Sequence, residues 1–281
     1  MKQILARDLG IFFIMLMAAA TVCAEDGYKL VWADEFNVDG KLNPKDWTYE
    51  RGFVRNDELQ WYQPDNAVCS NGCLVIEGRR ERKPNPGYKP NDKYWGNRRA
   101  FAEYTSSSVT TKGLHSWQYG RFEVKARIKA QPGLWPAIWF LGLKGRWPNC
   151  GEIDLMEFYK GKVLANACWG SEVTGKAKWD DSKKPVASFG DPDWDAKFHV
   201  WRMDWDEKSV VLSLDGLTLN TVDLAEAVNP EGREPRKPFH QPFYLLLNLA
   251  IGGTQGGDPS PTPFPTRYEI DYVRVYQQAT P

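Results

Sequence analysis

Histidine and cysteine are scarce in this chain, at three and five among 281 residues. No CxxC pair and no HExxH pattern occurs, so the spacings that build the common zinc sites are missing. Net charge is missing too, because 36 Lys and Arg balance 36 Asp and Glu. Such a balance gives no long-range pull toward nucleic acid or an acidic polymer, and a neutral partner is expected. The longest apolar run, Leu9–Val22, falls short of the roughly 20 residues that a membrane-spanning helix needs. Sustained helical periodicity, internal repeats and a linker-like stretch between two halves are also absent.

The apolar run has its own use. Lys2 and Arg7 bring positive charge to it, and Val22-Cys23-Ala24 closes it with residues suited to cleavage. Residues 1–24 therefore read as a secretory signal, which places the mature chain outside the cytoplasm: secreted, periplasmic or on the cell surface. Lipidation at Cys23 is the alternative, although Val22 is bulkier than a lipobox normally accepts. Removing the signal leaves 34 basic against 35 acidic side chains, a net charge of −1. Four cysteines remain, Cys69, Cys73, Cys150 and Cys168; export permits disulfides without requiring them, and spacing does not fix a pairing. Cys69 and Cys73 flank Asn71-Gly72, a strong hairpin signal.

Short alternating segments fill the rest, punctuated by Gly, Pro, Asn and Asp. They are Leu74–Gly78, Tyr119–Ile128, Trp135–Leu141, Glu152–Phe158, Val163–Trp169, Phe198–Trp205, Val210–Leu214, Tyr244–Ile251 and Tyr268–Tyr276. In 119–128, Phe122, Val124, Ala126 and Ile128 alternate with Arg121, Glu123, Lys125 and Arg127, the pattern of a half-buried strand. Residues 244–251 are apolar almost throughout and read as a central strand covered on both sides. Many strands with no helices to cover them imply two antiparallel sheets packed face to face: an all-β sandwich of jelly-roll type in one domain, 25–281. Stretches 82–97, 170–197, 226–242 and 252–266 are expected as loops. Aromatic residues make up 14% of the chain, with 13 Trp, enough for a core and for flat faces on which sugar rings can stack.

The segment GEIDLMEF, 151–158, places three carboxylates on one of these strands. Isolated charges there are costly unless they are paired or used in chemistry. Glu152 and Asp154, at i and i+2, share a face, whereas Glu157 at i+5 would point away. One inserted residue, Met156, forming a β-bulge restores the phase and turns all three toward one cleft. Two carboxylic groups at short separation are what retaining glycoside hydrolysis requires, with a separation of about 5–5.5 Å. Asp154 is then placed to tune its neighbours, since like charges push carboxyl pKa values upward. On the same phase rule Trp135, Ala137 and Trp139 share a face, and so do Asn166 and Cys168 on the return strand.

GLWPAIWFLG at 133–142, Trp147-Pro148 and GEIDLMEF together resemble the signature of glycoside hydrolase family 16 in its bulged version. The similarity extends through WADEF (32–36), NDELQWY (56–62), YGRFEVKARI (119–128), PFYLLLNLAIGG (242–253) and YEIDYVRVYQ (268–277). It implies a concanavalin A-like jelly roll with a substrate cleft on its concave face. It also implies a retaining, endo-acting hydrolase of β-glucans, with Glu152 as nucleophile, Asp154 as assisting carboxylate and Glu157 as acid/base. Asn56, Trp139, Asn166 and Asn248 then border the cleft, with Trp135 and Trp147 as candidate sugar platforms. A structural calcium away from the cleft is implied, held by a backbone oxygen at Glu35, the Gly78 carbonyl and Asp271, oxygen ligands only. No cofactor is expected for catalysis.

Two positions depart from the β-1,3-glucanase pattern: Cys168 stands where many members carry His, and Gln255 lies where many place a Trp after the late GG turn. The expected substrates are accordingly both laminarin and mixed-linkage β-1,3-1,4-glucan, cut by a monomer. An agarase-like hydrolase of a marine galactan and a non-catalytic β-glucan-binding lectin are the alternatives.

Overall fold

A computed structural model describes residues 27–278; the signal segment and Cys23 lie outside the described residues. Among the described residues, fifteen strands form two large sheets. In chain order they are β1 (Tyr28–Asp34), β2 (Thr48–Tyr49), β3 (Ala67–Ser70), β4 (Cys73–Gly78), β5 (Ser108–Thr110), β6 (Gly120–Arg127), β7 (Leu134–Gly142) and β8 (Glu152–Tyr159). They continue with β9 (Lys162–Gly170), β10 (Ala177–Pro185), β11 (His199–Trp205), β12 (Ser209–Leu214), β13 (Leu217–Asp223), β14 (Phe243–Ile251) and β15 (Thr266–Gln278). The back sheet runs β13-β12-β11-β6-β15-β4-β3, with β1 also paired to β15, and the cleft sheet runs β10-β9-β8-β7-β14-β5-β2. Neighbours within both sheets are antiparallel.

The alternation read from the sequence decides which face meets the core. On β6, Phe122, Val124 and Ala126 are buried while Arg121, Glu123 and Lys125 are not. Trp201, Met203 and Trp205 of β11 continue that layer. The cleft sheet answers with Ile138 and Phe140 of β7, Ile153 of β8 and Leu245, Leu247 and Leu249 of β14, all in one continuous apolar cluster. Burying side chains of this size gains about 1.5–3 kcal/mol each, and this layer holds the sheets together. β14 is buried at every position, because loops and the cleft side chains Trp139 and Ala137 cover its second face. Nine expected strands are present within one or two residues of the expected ends.

Three expectations change. The stretch 170–197 contains β10, an edge strand whose Lys, Asp and Ser residues on both faces hide its strand character. Charged edges of this kind resist pairing with other chains. Stretch 82–97 is pinned by a two-residue pair between Lys83–Pro84 and Phe101–Ala102 and by a turn at Trp95–Arg98. Third, the bulge is shared by two residues rather than lying at Met156 alone. Against β7, Met156 pairs with Ile138 and Asp154 with Trp139, so Leu155 is unpaired. Against β9, Asp154 pairs with Asn166 and Glu157 with Leu164, which leaves Ala165 facing both Leu155 and Met156. Both bulged side chains are fully buried in the core, and this anchors the kink.

Candidate active site

The outward face of the cleft sheet carries a groove of about 700 Å³. Its floor is β8, and the bulge does what the phase argument required: Glu152, Asp154 and Glu157 all line it. Asn56, Trp135, Trp139, Trp147, Asn166 and Asn248 line it as well. All nine residues expected at the cleft therefore come together there.

Their environments differ. Glu152 is the acceptor of Trp147 Nε1–H at 2.5 Å and of Cys168 Sγ–H at 3.6 Å, both through Oε2. It also accepts a hydrogen bond from Asp154. Burial raises its pKa above the ordinary carboxylate value, and these donors work against that rise. Asp154 is only 2% exposed, and burial, then Glu157 and Glu152, hold its carboxyl well above the usual range. Its Oδ2 has no conventional donor nearby, which suits a carboxyl that keeps its proton and gives it to Glu152. Glu157 accepts Trp135 Nε1–H at 2.7 Å through Oε1 and Asn166 Nδ2–H at 3.3 Å through Oε2. Burial and the Glu152 charge lift it to about 7. The group thus offers one carboxyl, Glu152, whose charged form is supplied with donors, and one, Glu157, whose pKa of about 7 suits the release of a proton near neutrality.

The surrounding residues divide between positioning and contact. Asn248 Oδ1 accepts Trp139 Nε1–H at 2.7 Å, and its Nδ2 donates to Tyr62 Oη at 3.0 Å. Its amide thereby fixes Trp139 while still lining the groove. Asn166, which also accepts Ser182 N–H at 3.3 Å, orients Glu157. Trp135 is nearly buried, packed edge-on against Tyr159, and serves as a donor more than as a platform. Trp147, at 51% exposure, is the open indole face. Asn56 Nδ2 donates to Glu58 Oε1 at 3.3 Å.

Sequence reasoning missed several lining residues. Arg55 lies 4.8 Å from the Trp139 ring centroid, is paired with Glu50 and borders the groove beside Glu58. Both sit in a segment whose motif drew notice only for Asn56. Trp179, Asp181 and Lys183 enter the groove from β10, the strand that was expected as loop. Their spacing at i, i+2 and i+4 was the available signal.

The calcium ligands do not converge. Gly78 pairs with Thr266 and Leu74 with Ile270, so Gly78 lies five positions along β15 from Asp271, about 17 Å at the rise of a strand. The Asp271 carboxylate is held by Lys125 at 2.6 Å. Gly78 and Asp271 therefore do not fit one cation. All four described cysteines are free thiols.

An all-β sandwich with three buried carboxyl groups gathered in one cleft, one of them with its pKa lifted to about 7, fits a carbohydrate-cleaving hydrolase. The model of the glycosyl hydrolases family 16 matches residues 61–274, and the chain belongs to that family. It is 34% identical over 269 residues to the beta-glucanase of Rhodothermus marinus, covering 89% of this chain and 85% of that protein. Some relatives are longer: the chain spans 38% of the glucan endo-1,3-beta-glucosidase A1 of Niallia circulans, at 30% identity and 90% coverage of this chain. Among solved structures, it matches the laminarinase catalytic domain of Thermotoga petrophila with a TM-score of 0.73 and 34% identity, covering 90% of this chain and 99% of that one. A structure from work on endo-acting O-glycanases, which human gut microbiota express to initiate mucin breakdown, matches with a TM-score of 0.82 and 34% identity, covering 91% and 92%. The chain is a glycoside hydrolase, and no helix among its described residues is long and apolar enough to cross a membrane.

Proposed function

We propose that the chain is a secreted, retaining endo-β-glucanase that acts as a single catalytic unit on β-1,3-glucan and mixed-linkage β-1,3-1,4-glucan. The observation that carries this is the division of labour between two carboxyls on one bulged strand. Glu152, whose charged form is favoured by hydrogen bonds from Trp147, Asp154 and Cys168 against the rise that burial causes, attacks the anomeric carbon. Glu157, with its pKa lifted to about 7, gives its proton to the departing glycosidic oxygen. The bond to the leaving sugar breaks as the Glu152 ester forms. Glu157, now a carboxylate, takes a proton from water, whose oxygen displaces Glu152, so two inversions give net retention. Asp154 supports the exchange by keeping a proton in hydrogen-bond contact with Glu152.

A second reading places the same chemistry on a glycan of mucin type. It is favoured by the higher TM-score to the O-glycanase structure, 0.82 against 0.73 for the laminarinase, at equal identity. Product profiling on laminarin, lichenan, barley β-glucan, agarose and mucin O-glycans separates the two. Oligosaccharides from the glucans support the first reading, and release from mucin alone replaces it with the second. Binding without release from any of them would leave a lectin.

A further inference from the structure

Pairing across three strands extends the carboxylates into rows. Glu152 pairs with Cys168 and Cys168 with Trp179; Asp154 pairs with Asn166 and Asn166 with Asp181; Glu157 pairs with Leu164 and Leu164 with Lys183. Trp179, Asp181 and Lys183 therefore stand on the cleft face of β10, and all three line the groove. The phase of this edge strand is fixed from behind. Asn220 of β13 donates to Asp180 Oδ1 and to the Ala165 carbonyl, both at 3.0 Å, tying the opposite face of β10 to the back sheet. Trp179 is 45% exposed, a large apolar face left in water about two strand spacings, or about 10 Å, from Glu152. Beside it, Asp181 and Lys183 pair at 2.6 Å and offer both acceptors and donors to hydroxyl groups.

We propose that Trp179, with the Asp181–Lys183 pair, forms the subsite for the leaving-group side of the glycan. This rests on the hydrolase reading above. The polarity follows from Glu157. Its Oε1 accepts the short Trp135 bond from the β7 side, whereas Oε2 has only the longer Asn166 bond from the β9 side. The proton belongs on the less engaged Oε2, and the oxygen that receives it carries its sugar over β9 and β10. The retained sugar then lies over β7, toward Trp139, Arg55 and Asn56.

The test compares Trp179→Ala and Trp179→Phe with wild type on two substrates of the glucan identified by profiling. One is a hexasaccharide cut internally; the other is the corresponding disaccharidyl fluoride, whose leaving group needs no sugar site. The expected result is a loss of roughly tenfold in kcat/KM on the hexasaccharide for Trp179→Ala, restored in large part by Phe, with the fluoride unchanged within about twofold. Transfer to an added disaccharide acceptor should fall in the same proportion. Equal losses on both substrates, or no loss on either, overturn the assignment. Binding of laminarihexaose and of a mucin-type hexasaccharide to Glu152→Gln, by calorimetry, tests the subsite without turnover. Weaker binding when Trp179→Ala is added supports it even if the chain cleaves nothing, and unchanged binding of both sugars overturns it.

Discussion

Replacing Trp135 by Phe isolates one hydrogen bond at the reacting acid. Trp135 Nε1–H donates to Glu157 Oε1 at 2.7 Å, and this bond favours the charged carboxylate, lowering the Glu157 pKa against the rise that burial causes. A hydrogen bond to a charged group contributes about 1.5–3 kcal/mol and one to a neutral group about 0.5–1.5, so its loss disfavours the carboxylate by about 1 kcal/mol. At about 1.36 kcal/mol for each pH unit, the Glu157 pKa should rise by about 0.7, from about 7 toward the high sevens. Phe keeps an aromatic ring against Tyr159, 5.5 Å away between centroids in the native pair, so the burial that sets the main rise is retained. The measurement is kcat/KM against pH for wild type and Trp135→Phe. Activity requires protonated Glu157, so the alkaline limb should move upward while the acidic limb stays near its place. A limb that moves down, or does not move, refutes the assignment of Glu157 as the acid held by this bond.

Glu152→Gln and Glu157→Gln should each cut turnover by roughly 10²–10⁴ while preserving binding of the intact glycan, read by calorimetry beside initial rates. Proton NMR of the first product should show the β-anomer before mutarotation, and an α-anomer would exclude the double displacement. Glu157→Gln should also stabilise the protein at high pH. The folded-state pKa of Glu157 stands above its unfolded value of 4.5, so its contribution is fully present below about 4.5 and is lost as pH rises through about 7. The loss amounts to roughly 3 kcal/mol at most, and the Tm advantage of the Gln variant should therefore grow between pH 5 and pH 8. Gly120→Ala, far from the cleft, should lower the denaturation midpoint and leave kcat unchanged. Its backbone has φ +126°, and an added Cβ would lie 2.3 Å from the Tyr276 carbonyl oxygen.

Patterned segments were the legible part of the fold. Phe122, Val124 and Ala126 announce β6 because a two-residue period has one physical outcome when one face is buried. The strand β10 was not legible for the same reason, since polar residues stand on both of its faces, Asp181 and Lys183 on one and Asp180 and Ser182 on the other, and none of its positions is fully buried. Its partner strand β9, buried at eight of nine positions, hid nothing. At the site, the carboxylates could be found from residue type and phase, yet the identity of their donors could not. Asn248, for example, bonds Tyr62, 186 positions away in the chain. The calcium positions failed through register: Gly78 and Asp271 each lie in expected strands, but their separation along β15 is set by a pairing that no local pattern states.

One physical problem connects the bulge, the donors and the edge strand. Three carboxyls on a buried strand could not all be charged, because each charge raises the pKa of the next. The bulge brings them to one face and makes that conflict sharper; the side chains around them then resolve it unequally. Donors gather at Glu152 from Trp147, Asp154 and Cys168, while Glu157 keeps two, from Trp135 and Asn166. A uniform supply of donors would leave two similar carboxylates and no acid. Asymmetry in hydrogen bonding, imposed by which strands flank β8 and in which register, is what converts a repeated residue type into a nucleophile and an acid. On this basis Cys168→Ala, which removes a donor from Glu152 alone, should raise the acidic limb of the kcat/KM profile and spare the alkaline one. Cys168→Ser, which keeps a donor, should leave both limbs near their wild-type positions, and a shift confined to the alkaline limb in either variant would contradict the division of roles.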